Sequence, residues 1–274
     1  MSDGVSDTAA HDGLAVTRDG PVATVWLDRP AKRNAVTRAM WAALPGLLDE
    51  LATASEVRVV VVRGADGTFS AGADVSEVGQ VVDQLTAGDD GHSYADLNKA
   101  AEDALVAFPK PTVAVVQGAC VGGGCSIAVD CDLRIADTTA RFGITPARLG
   151  LVYPPGALER VTHLIGPAAA KWLLYTGELV DAAWALRTGL VDAVHPPGAL
   201  EAAVTHLCAS LAERSLLTQQ ATKEMIAAVL HDGAVGADLA RRWAKEAQAS
   251  SEATEGVAAF LERRPPRFRW PDAT

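Results

Sequence analysis

The stretch 110–124 (KPTVAVVQGACVGGG) sets the pattern on which the fold prediction depends. Its apolar run 112–116 is typical of a strand buried on both faces of a parallel sheet. Three glycines end the stretch, and an apolar helix of about 125–129 is expected after them. A further buried strand is expected at 133–136. Strands alternating with helices predict an α/β core with parallel pairing.

The same pattern occurs earlier in the chain. A run rich in valine, 57–62, predicts another buried strand, and a glycine-rich loop, 64–74, follows it. Two short alternating segments, 14–17 and 22–27, flank Asp-Gly-Pro and predict a hairpin. Thr37 is a candidate cap for a helix running to about residue 54, in which Pro45 is expected to cause a kink or a break.

Beyond residue 156 the pattern becomes almost entirely helical, and only 191–194 is expected to be extended. The predicted fold class is therefore α/β, with a helical C-terminal region. Residues 1–12 are expected to form a disordered tail and 13–195 the α/β core. Residues 196–274 are expected to form the helical region. A second helical stretch, after residue 74, is expected to be interrupted by a mobile loop at 88–91.

Composition excludes several classes of function. The 274 residues carry a formal net charge of −10, which argues against nucleic acid or an anionic membrane as the main partner. No apolar run is long enough for a membrane span, and the first residues lack the features of a signal peptide, so a cytoplasmic location is expected. The four cysteines are expected to be buried reduced thiols, and the histidines show no metal-binding spacing. No metal site is expected.

The two glycine-rich loops are the strongest candidates for chemistry. One contains 69–74 (FSAGAD), and the other ends in 122–124 (GGG) at the start of a helix. Such loops at the ends of adjacent strands can direct two backbone N–H groups at one oxygen, which makes an oxyanion hole without polar side chains. The alternative is that the glycines only permit tight turns and close packing.

Several ordered motifs resemble the crotonase superfamily, the enoyl-CoA hydratase/isomerase fold. The segment 28–35 (DRPAKRNA) is similar to the one that opens these proteins, and 69–74 and 110–124 resemble their two oxyanion-hole loops. The motifs 176–177 and 189–192 resemble the entry to their helical region, and 255–265 resembles their C-terminal helix. The resemblance covers about 14–270 and implies a crotonase-like ββα-spiral core that binds coenzyme A thioesters.

The resemblance also implies roles for particular residues. The N–H groups of Ala71 and Gly123 would polarise the thioester carbonyl and stabilise an enolate. Arg263 or Arg264 would meet a phosphate of coenzyme A, unless both only form a solvated helix face. No separate cofactor is implied, because coenzyme A is part of the substrate, and the implied assembly is a homotrimer or a dimer of trimers. The implied substrate-binding positions are Arg33, Ala35, Ser70, Gly72, Ala73, Asp74, Val75, Gly122 and Pro146.

The chain departs from the family at the two glutamates that hydratases use. Ser126 and Pro146 stand at those positions; serine is a poor acid or base at neutral pH and proline is neither, so ordinary hydration is not expected. The segment 145–153 resembles that of methylmalonyl-CoA decarboxylases, in which a tyrosine at the place of Tyr153 contacts the substrate. The histidine that those enzymes carry in the first loop is replaced by Ala73. Decarboxylation suits such a site, because the leaving carboxylate supplies the electrons.

Other interpretations of these polar residues remain open. Tyr153 either orients a carboxylate or delivers a proton, or it is a packed core tyrosine. Ser126 is either a nucleophile or bonded to the backbone. Glu159 and Arg160 are expected to form a structural pair. Asp130 and Asp132 are expected to be caps or turn residues rather than acids.

Three functions compete at this point. The first is an enolate-forming acyl-CoA enzyme: a decarboxylase, an isomerase or an atypical hydratase. The second is a non-catalytic acyl-CoA-binding protein on a degenerate fold of the same family. The third is a dinucleotide-dependent dehydrogenase, which the glycine spacing disfavours because Ile127 stands where a third glycine is required.

Overall fold

The computed structural model describes residues 6–77 and 91–271. The helical stretch expected after residue 74 and the loop expected at 88–91 lie almost wholly outside these ranges. Within them strands and helices alternate up to His195, and the rest of the chain forms only helices. The strands are β1 (Ser6–His11), β2 (Leu14–Asp19), β3 (Val22–Leu27), β4 (Val59–Gly64), β5 (Thr112–Val116), β6 (Ala119–Val121), β7 (Leu133–Asp137), β8 (Arg141–Gly143), β9 (Val180–Asp181) and β10 (Ala193–His195).

Seven of these strands form the main sheet, in the order β1-β2-β3-β4-β5-β7-β10. The first three are antiparallel neighbours, and every pairing from β3 to β10 is parallel. The predicted hairpin is confirmed, with Leu14 opposite Leu27 and Asp19 opposite Val22. The predicted strand at 57–62 begins two residues later, at Val59.

The segment expected as a disordered tail contains a strand. Residues Ser6–His11 pair antiparallel with β2, with His11 opposite Leu14. The turn between them is Asp12-Gly13, and both residues have positive φ, which suits a tight hairpin. The tail prediction is therefore wrong for 6–11, and residues 1–5 lie outside the described part of the chain.

A small second sheet was not predicted. It has the order β6-β8-β9, with a parallel and an antiparallel pairing. Its strands are only two or three residues long, too short for hydrophobic alternation to reveal them. Because β6 leads directly into the three glycines, this sheet fixes the direction in which the second glycine loop leaves the core.

The helices follow the predicted pattern closely. They are α1 (Arg38–Thr53), α2 (Tyr94–Val106), α3 (Gly123–Asp130), α4 (Pro146–Leu149), α5 (Pro155–Thr176), α6 (Ala182–Thr188), α7 (Pro197–Ala212), α8 (Leu216–Asp232), α9 (Ala237–Ala249) and α10 (Glu252–Glu262).

Two helices correct the prediction in detail. Thr37 caps α1, as expected, but the helix continues through Pro45, whose missing N–H is tolerated because buried side chains on both sides of it, from Met40 to Leu51, pack the helix on the core. The opposite happens in α5, where the chain turns at Gly166 (φ 74°, ψ 162°) before Pro167. The break expected at Pro45 is therefore absent, whereas α5 is divided at Gly166.

The core lies on both faces of the parallel sheet. Val60 and Val62 face a large cluster that includes α1, α2, α3 and α5, whereas Val59 and Val61 face a smaller one built with Leu200 of α7. This double burial explains why the sheet strands are apolar runs rather than alternating ones. All four cysteines are free and buried, as predicted. Among the described residues, no helix is long and apolar enough to cross a membrane.

Candidate active site at the two glycine loops

The two glycine loops touch each other at the carboxyl ends of β4 and β5. Ser70 accepts a hydrogen bond from the Val121 N–H at 3.0 Å, and its own N–H donates to Ala119 at 2.8 Å. A Cβ on Gly72 would lie 2.9 Å from the Val121 oxygen, and one on Gly124 would lie 2.5 Å from the Ser70 Cβ. Glycine is therefore required where the loops meet. We call residues 70–72 with 121–124 the two-loop contact.

Gly123 presents an open donor at this contact. It is the first residue of α3, so its N–H has no acceptor within the helix and lies at the positive end of the helix dipole. Gly122, with φ 53° and ψ −122°, makes the turn into the helix, and its N–H donates to the Gly143 oxygen at 2.9 Å. The ring of Trp41 would lie 3.0 Å from a Cβ on Gly123.

Ala71 differs from the prediction, which treated its N–H as open. In this structure that N–H donates to the Arg33 carbonyl at 2.9 Å. The cause is the turn at Pro30–Lys32, after which Arg33 and Asn34 both adopt positive φ, near 53°. This left-handed pair brings the Arg33 carbonyl to the first loop. Of the two N–H groups expected to form an oxyanion hole, that of Gly123 has no acceptor within its helix, whereas that of Ala71 already donates to Arg33.

Two predicted substrate-binding side chains serve the loop itself. The Ser70 hydroxyl donates to the Asn34 oxygen at 2.7 Å and accepts from the Gly72 N–H at 3.1 Å. Asp74 is buried and forms an ion pair with Arg29 at 2.8 Å. Hydrogen bonds from Ser76, and then Arg29, lower the pKa of Asp74 to about 2. Both side chains therefore hold the loop in shape.

The other predicted positions lie on several elements. Ala73 bridges Val36, which places the 28–35 segment beside the first loop. Arg33 is exposed and Ala35 is buried. Val75 begins the turn Val75–Glu77, and Pro146 begins α4. The Ala73–Val36 pairing thus brings the 28–35 segment to the first loop, and contact of all these positions with coenzyme A stays a prediction.

The C-terminal arginines behave differently from each other. Arg264 forms ion pairs with Glu255 and Glu262, each at 2.6 Å, so its charge is already matched. Arg263 adopts positive φ (53°) at the end of α10. Of the two, Arg263 is the better candidate for a phosphate of coenzyme A.

Ser126 and Tyr153 form a hydrogen-bonded pair one helical turn beyond Gly123. Their hydroxyl oxygens are 2.8 Å apart, and either can be the donor. Burial raises the pKa of Tyr153 well above its usual value, so the phenol is protonated at neutral pH. Both tentative site residues are therefore joined to each other, and each retains a transferable proton. We call them the hydroxyl pair.

A buried group of charges lies behind the hydroxyl pair, and it corrects two predictions. Arg160 does not pair with Glu159, which instead lies 3.5 Å from His231. Arg160 forms ion pairs with Glu102 of α2 and, at 2.5 Å, with Asp130 of α3. Both carboxyls are about 95% buried. Asp130 is thus a buried acid rather than a cap, whereas Asp132 accepts from the N–H of Thr112, at the start of β5, at 2.8 Å and pairs with Lys223 at 3.0 Å.

Glu102 is not among the residues predicted from the sequence. The available signal was the spacing of Tyr94, Asn98 and Glu102, which places three polar side chains on one face of α2. That face and the residues Tyr153 and Arg160 line a cavity of about 1240 Å³. We call Glu102, Asp130 and Arg160 the buried charge cluster.

The cluster has two acids and only one cation. Burial raises the pKa of Glu102, although Arg160, Asn98 and Ser126 oppose the shift. Burial, and then the charge of Glu102, raises the pKa of Asp130 well above its usual value. Two carboxyls that share one site cannot both ionise easily, so the cluster holds a proton at pH values where exposed carboxyls have lost theirs.

Comparison with known proteins agrees with this geometry. The model of the enoyl-CoA hydratase/isomerase family matches residues 17–271. The chain belongs to that family. Family membership confirms the resemblance inferred from the sequence motifs. An acyl-CoA thioester as ligand is consistent with this family.

Individual relatives of the enoyl-CoA hydratase/isomerase family cover nearly the whole chain. A Thermus thermophilus protein, provisionally named an enoyl-CoA hydratase, is 38% identical over 256 residues, which are 91% of this chain and 98% of that protein. The 2,3-dehydroadipyl-CoA hydratase of Escherichia coli is 32% identical over 258 residues, which are 93% of this chain and 98% of that protein.

A solved structure confirms the fold. The enoyl-CoA hydratase/carnithine racemase of Magnetospirillum magneticum superposes with a TM-score of 0.87 at 29% identity, covering 94% of this chain and 96% of that one. The crotonase fold, with its α/β core and helical C-terminal region, is therefore established. Within residues 6–77 and 91–271, no three His, Cys, Asp or Glu side chains are grouped so as to hold a metal ion.

Proposed function

We propose that this protein converts an acyl-CoA thioester by stabilising an enolate at the two-loop contact. The observation that carries the proposal is the open Gly123 N–H at the positive end of α3, beside a loop packed so closely that only glycine fits. The thioester oxygen would accept from Gly123 and replace the Arg33 carbonyl as the acceptor for Ala71. One such donor contributes about 3 kcal/mol to lowering the barrier.

The proposed reaction is decarboxylation or isomerisation rather than ordinary hydration. Neither Ser126 nor Pro146 supplies the carboxylate that would activate a water molecule. In decarboxylation the C–C bond to the leaving carboxylate breaks, its electron pair forms the enolate, and CO₂ departs. Tyr153 would then donate a proton to the α-carbon. The protonated state of its phenol and its place beside Ser126 support that role.

The proposed site uses no cofactor other than the coenzyme A of the substrate. The positions 33, 35 and 70–75 would surround its pantetheine part, and Arg263 would meet a phosphate. We also propose the homotrimer or dimer of trimers implied by the family resemblance. Size-exclusion chromatography with light scattering would test the assembly, and a monomer in solution would contradict it.

The decisive experiment compares two substitutions at one residue. Gly123→Pro removes the N–H, and proline is accepted at the first position of a helix. Gly123→Ala keeps the N–H but adds a similar contact with Trp41. Turnover of malonyl-type, 3-enoyl and crotonyl thioesters is measured alongside thioester binding. We expect Gly123→Pro to lose about 100- to 1000-fold in turnover and Gly123→Ala to lose far less.

Equal turnover by the two variants would contradict the oxyanion-hole proposal. A second candidate, a non-catalytic acyl-CoA-binding protein, is favoured by one observation: the Ala71 N–H already has an acceptor. Thioester binding by the wild-type protein without turnover of any of the three substrate types would support that candidate instead.

A further inference from the structure

The buried charge cluster has no role in the oxyanion hole, yet it contacts the groups that do the proposed chemistry. Arg160 lies between Glu102 and Asp130, and the Ser126 hydroxyl and the Asn98 amide lie beside the Glu102 carboxyl. The Glu102 Oε2 accepts from Arg160, whereas Oε1 is buried without a well-aligned donor among the described residues. One carboxyl oxygen is therefore left to exchange a proton.

A chain of exchangeable protons runs from this carboxyl to the site. The Ser126 hydroxyl is near enough to Glu102 to oppose the rise in the pKa of that carboxyl, and it lies 2.8 Å from the Tyr153 hydroxyl. Ser126 is also on the first turn of α3, three residues after Gly123. The three groups come from α2, α3 and the segment before α5, so only the folded chain brings them together.

We propose that Glu102 is the proton source and sink of the active site, acting on the α-carbon through Ser126 and Tyr153. This inference rests on the proposed function. As the new α-carbon–hydrogen bond forms, Tyr153 gives up its proton and takes one from Ser126, which takes one from Glu102. Glu102 ends as a carboxylate beside Arg160, and solvent protons reach it through the cavity. The reverse sequence removes an α-proton.

The arrangement explains why the acids are buried here. Asp130 and burial keep a proton on the cluster, and Arg160 stabilises the carboxylate once the proton has left. Glu102 thus supplies the acid–base capacity that Ser126 and Pro146 lack, from a different helix. Glu102 does not touch the substrate and acts through Ser126 and Tyr153, so it is a positioning residue. Tyr153, which transfers the proton to the α-carbon, is the catalytic residue.

The test is deuterium incorporation into butyryl-CoA in D₂O, followed by mass spectrometry, with butyryl-CoA affinity and Tm measured on the same samples. We expect the wild-type protein to exchange α-protons. In Glu102→Gln the exchange rate should fall by at least about 100-fold, with unchanged affinity for butyryl-CoA. Glu159→Gln is the matched control, since Glu159 is a surface residue paired with His231. It should exchange like the wild type.

A pH profile separates a proton carrier from a structural residue. Wild-type exchange should rise with pH as Glu102 loses its proton and then level off, and Glu102→Gln should lack that rise. The groups facing Glu102 are Arg160 of α5, Asp130 and Ser126 of α3, Tyr153, and Asn98 of its own helix. Among these groups, Glu102 and Asp130 are the carboxyls, and burial raises the pKa of both.

The outcomes are distinct. Wild-type exchange that Glu102→Gln retains in full would overturn this inference and leave the proposed function standing. Binding without exchange by the wild type would overturn this inference, whereas the proposed function would be overturned by the absence of turnover of malonyl-type, 3-enoyl and crotonyl thioesters. Should Glu102→Gln not fold, Ser126→Ala and Tyr153→Phe interrupt the same path with Glu102 intact, and wild-type exchange by both would overturn the inference.

Discussion

The two-loop contact and the buried charge cluster differ in the atoms that form them. The first uses backbone atoms only, and its geometry depends on the absence of side chains at Gly72 and Gly124. The second consists of ionisable side chains from three helices, held by burial and opposite charge. Damage to the first is therefore steric and independent of pH, whereas damage to the second is electrostatic and changes with pH.

Arg160→Met should have the largest effect on stability. It leaves Glu102 and Asp130 buried without a cation, and breaking a buried pair in this way costs about 3–5 kcal/mol. Both carboxyls have raised pKa values in the folded state. Stability is therefore retained below the unfolded-state pKa and lost as pH rises, so the defect should be greater at pH 8 than at pH 5. Urea denaturation at both pH values measures it.

Arg241→Met is the control for that comparison. Arg241 pairs with Asp238 on the surface, where both side chains are mostly exposed, and such pairs contribute at most about 1 kcal/mol. A loss in Arg160→Met no larger than in Arg241→Met would mean that the cluster does not carry buried charge.

Gly124→Ala should have the next largest effect. The new Cβ would lie 2.5 Å from the Ser70 Cβ, and Ser70 cannot yield easily because its hydroxyl is bonded to Asn34. Overpacking of this kind costs about 1–3 kcal/mol, and we expect the loss to be the same at pH 5 and pH 8. Thermal and urea unfolding measure it. A pH-dependent loss would contradict the purely steric account of the two-loop contact.

The sequence predicted one of these regions and missed the other for a physical reason. Glycine-rich loops after buried strands are local patterns, so positions 71–74 and 122–124 could be identified and placed at neighbouring strand ends. Glu102, Asp130 and Arg160 are far apart in sequence, and their pairing depends on how three helices pack. Nothing local distinguishes Arg160 from a surface arginine.

The bond from Ala71 to Arg33 was equally inaccessible to sequence reasoning. It requires two consecutive non-glycine residues, Arg33 and Asn34, in the left-handed region. Residues other than glycine rarely adopt that conformation, so local propensity predicts against it. The buried Asn34 side chain, which donates to the Ala65 and Thr68 oxygens, supplies the stabilisation that the turn needs.

Asp74→Asn tests the electrostatic support of the first loop, with a smaller effect. The folded-state pKa of about 2 lies below the ordinary value of 3.8, so the charge stabilises the fold above pH 4 and this contribution is lost as pH falls toward 2. We expect a loss of at most about 2 kcal/mol at pH 7 that narrows between pH 5 and pH 3. Urea denaturation across that range measures it, and a constant difference would mean that the charge of the Asp74 carboxylate, held by Ser76 and Arg29, is not responsible.

Gly46→Ala should have the smallest effect, with the opposite sign to Gly124→Ala. Gly46 is an exposed residue of α1, no heavy atom lies within 4 Å of the position that its Cβ would occupy, and its φ is not positive. Alanine is favoured over glycine within a helix, so the variant should gain about 0.5–1 kcal/mol in the same unfolding assays.

Gly46→Ala and Gly124→Ala make the same chemical change in two helices. Each lowers the conformational entropy of the unfolded chain by the same amount. The difference between their effects then measures the two-loop contact alone, without the backbone entropy that every glycine substitution changes. Destabilisation by Gly46→Ala would show that the continuous path of α1 past Pro45 depends on the freedom of the next residue. Gain at Gly46 together with loss at Gly124 would locate the requirement for glycine at the site itself.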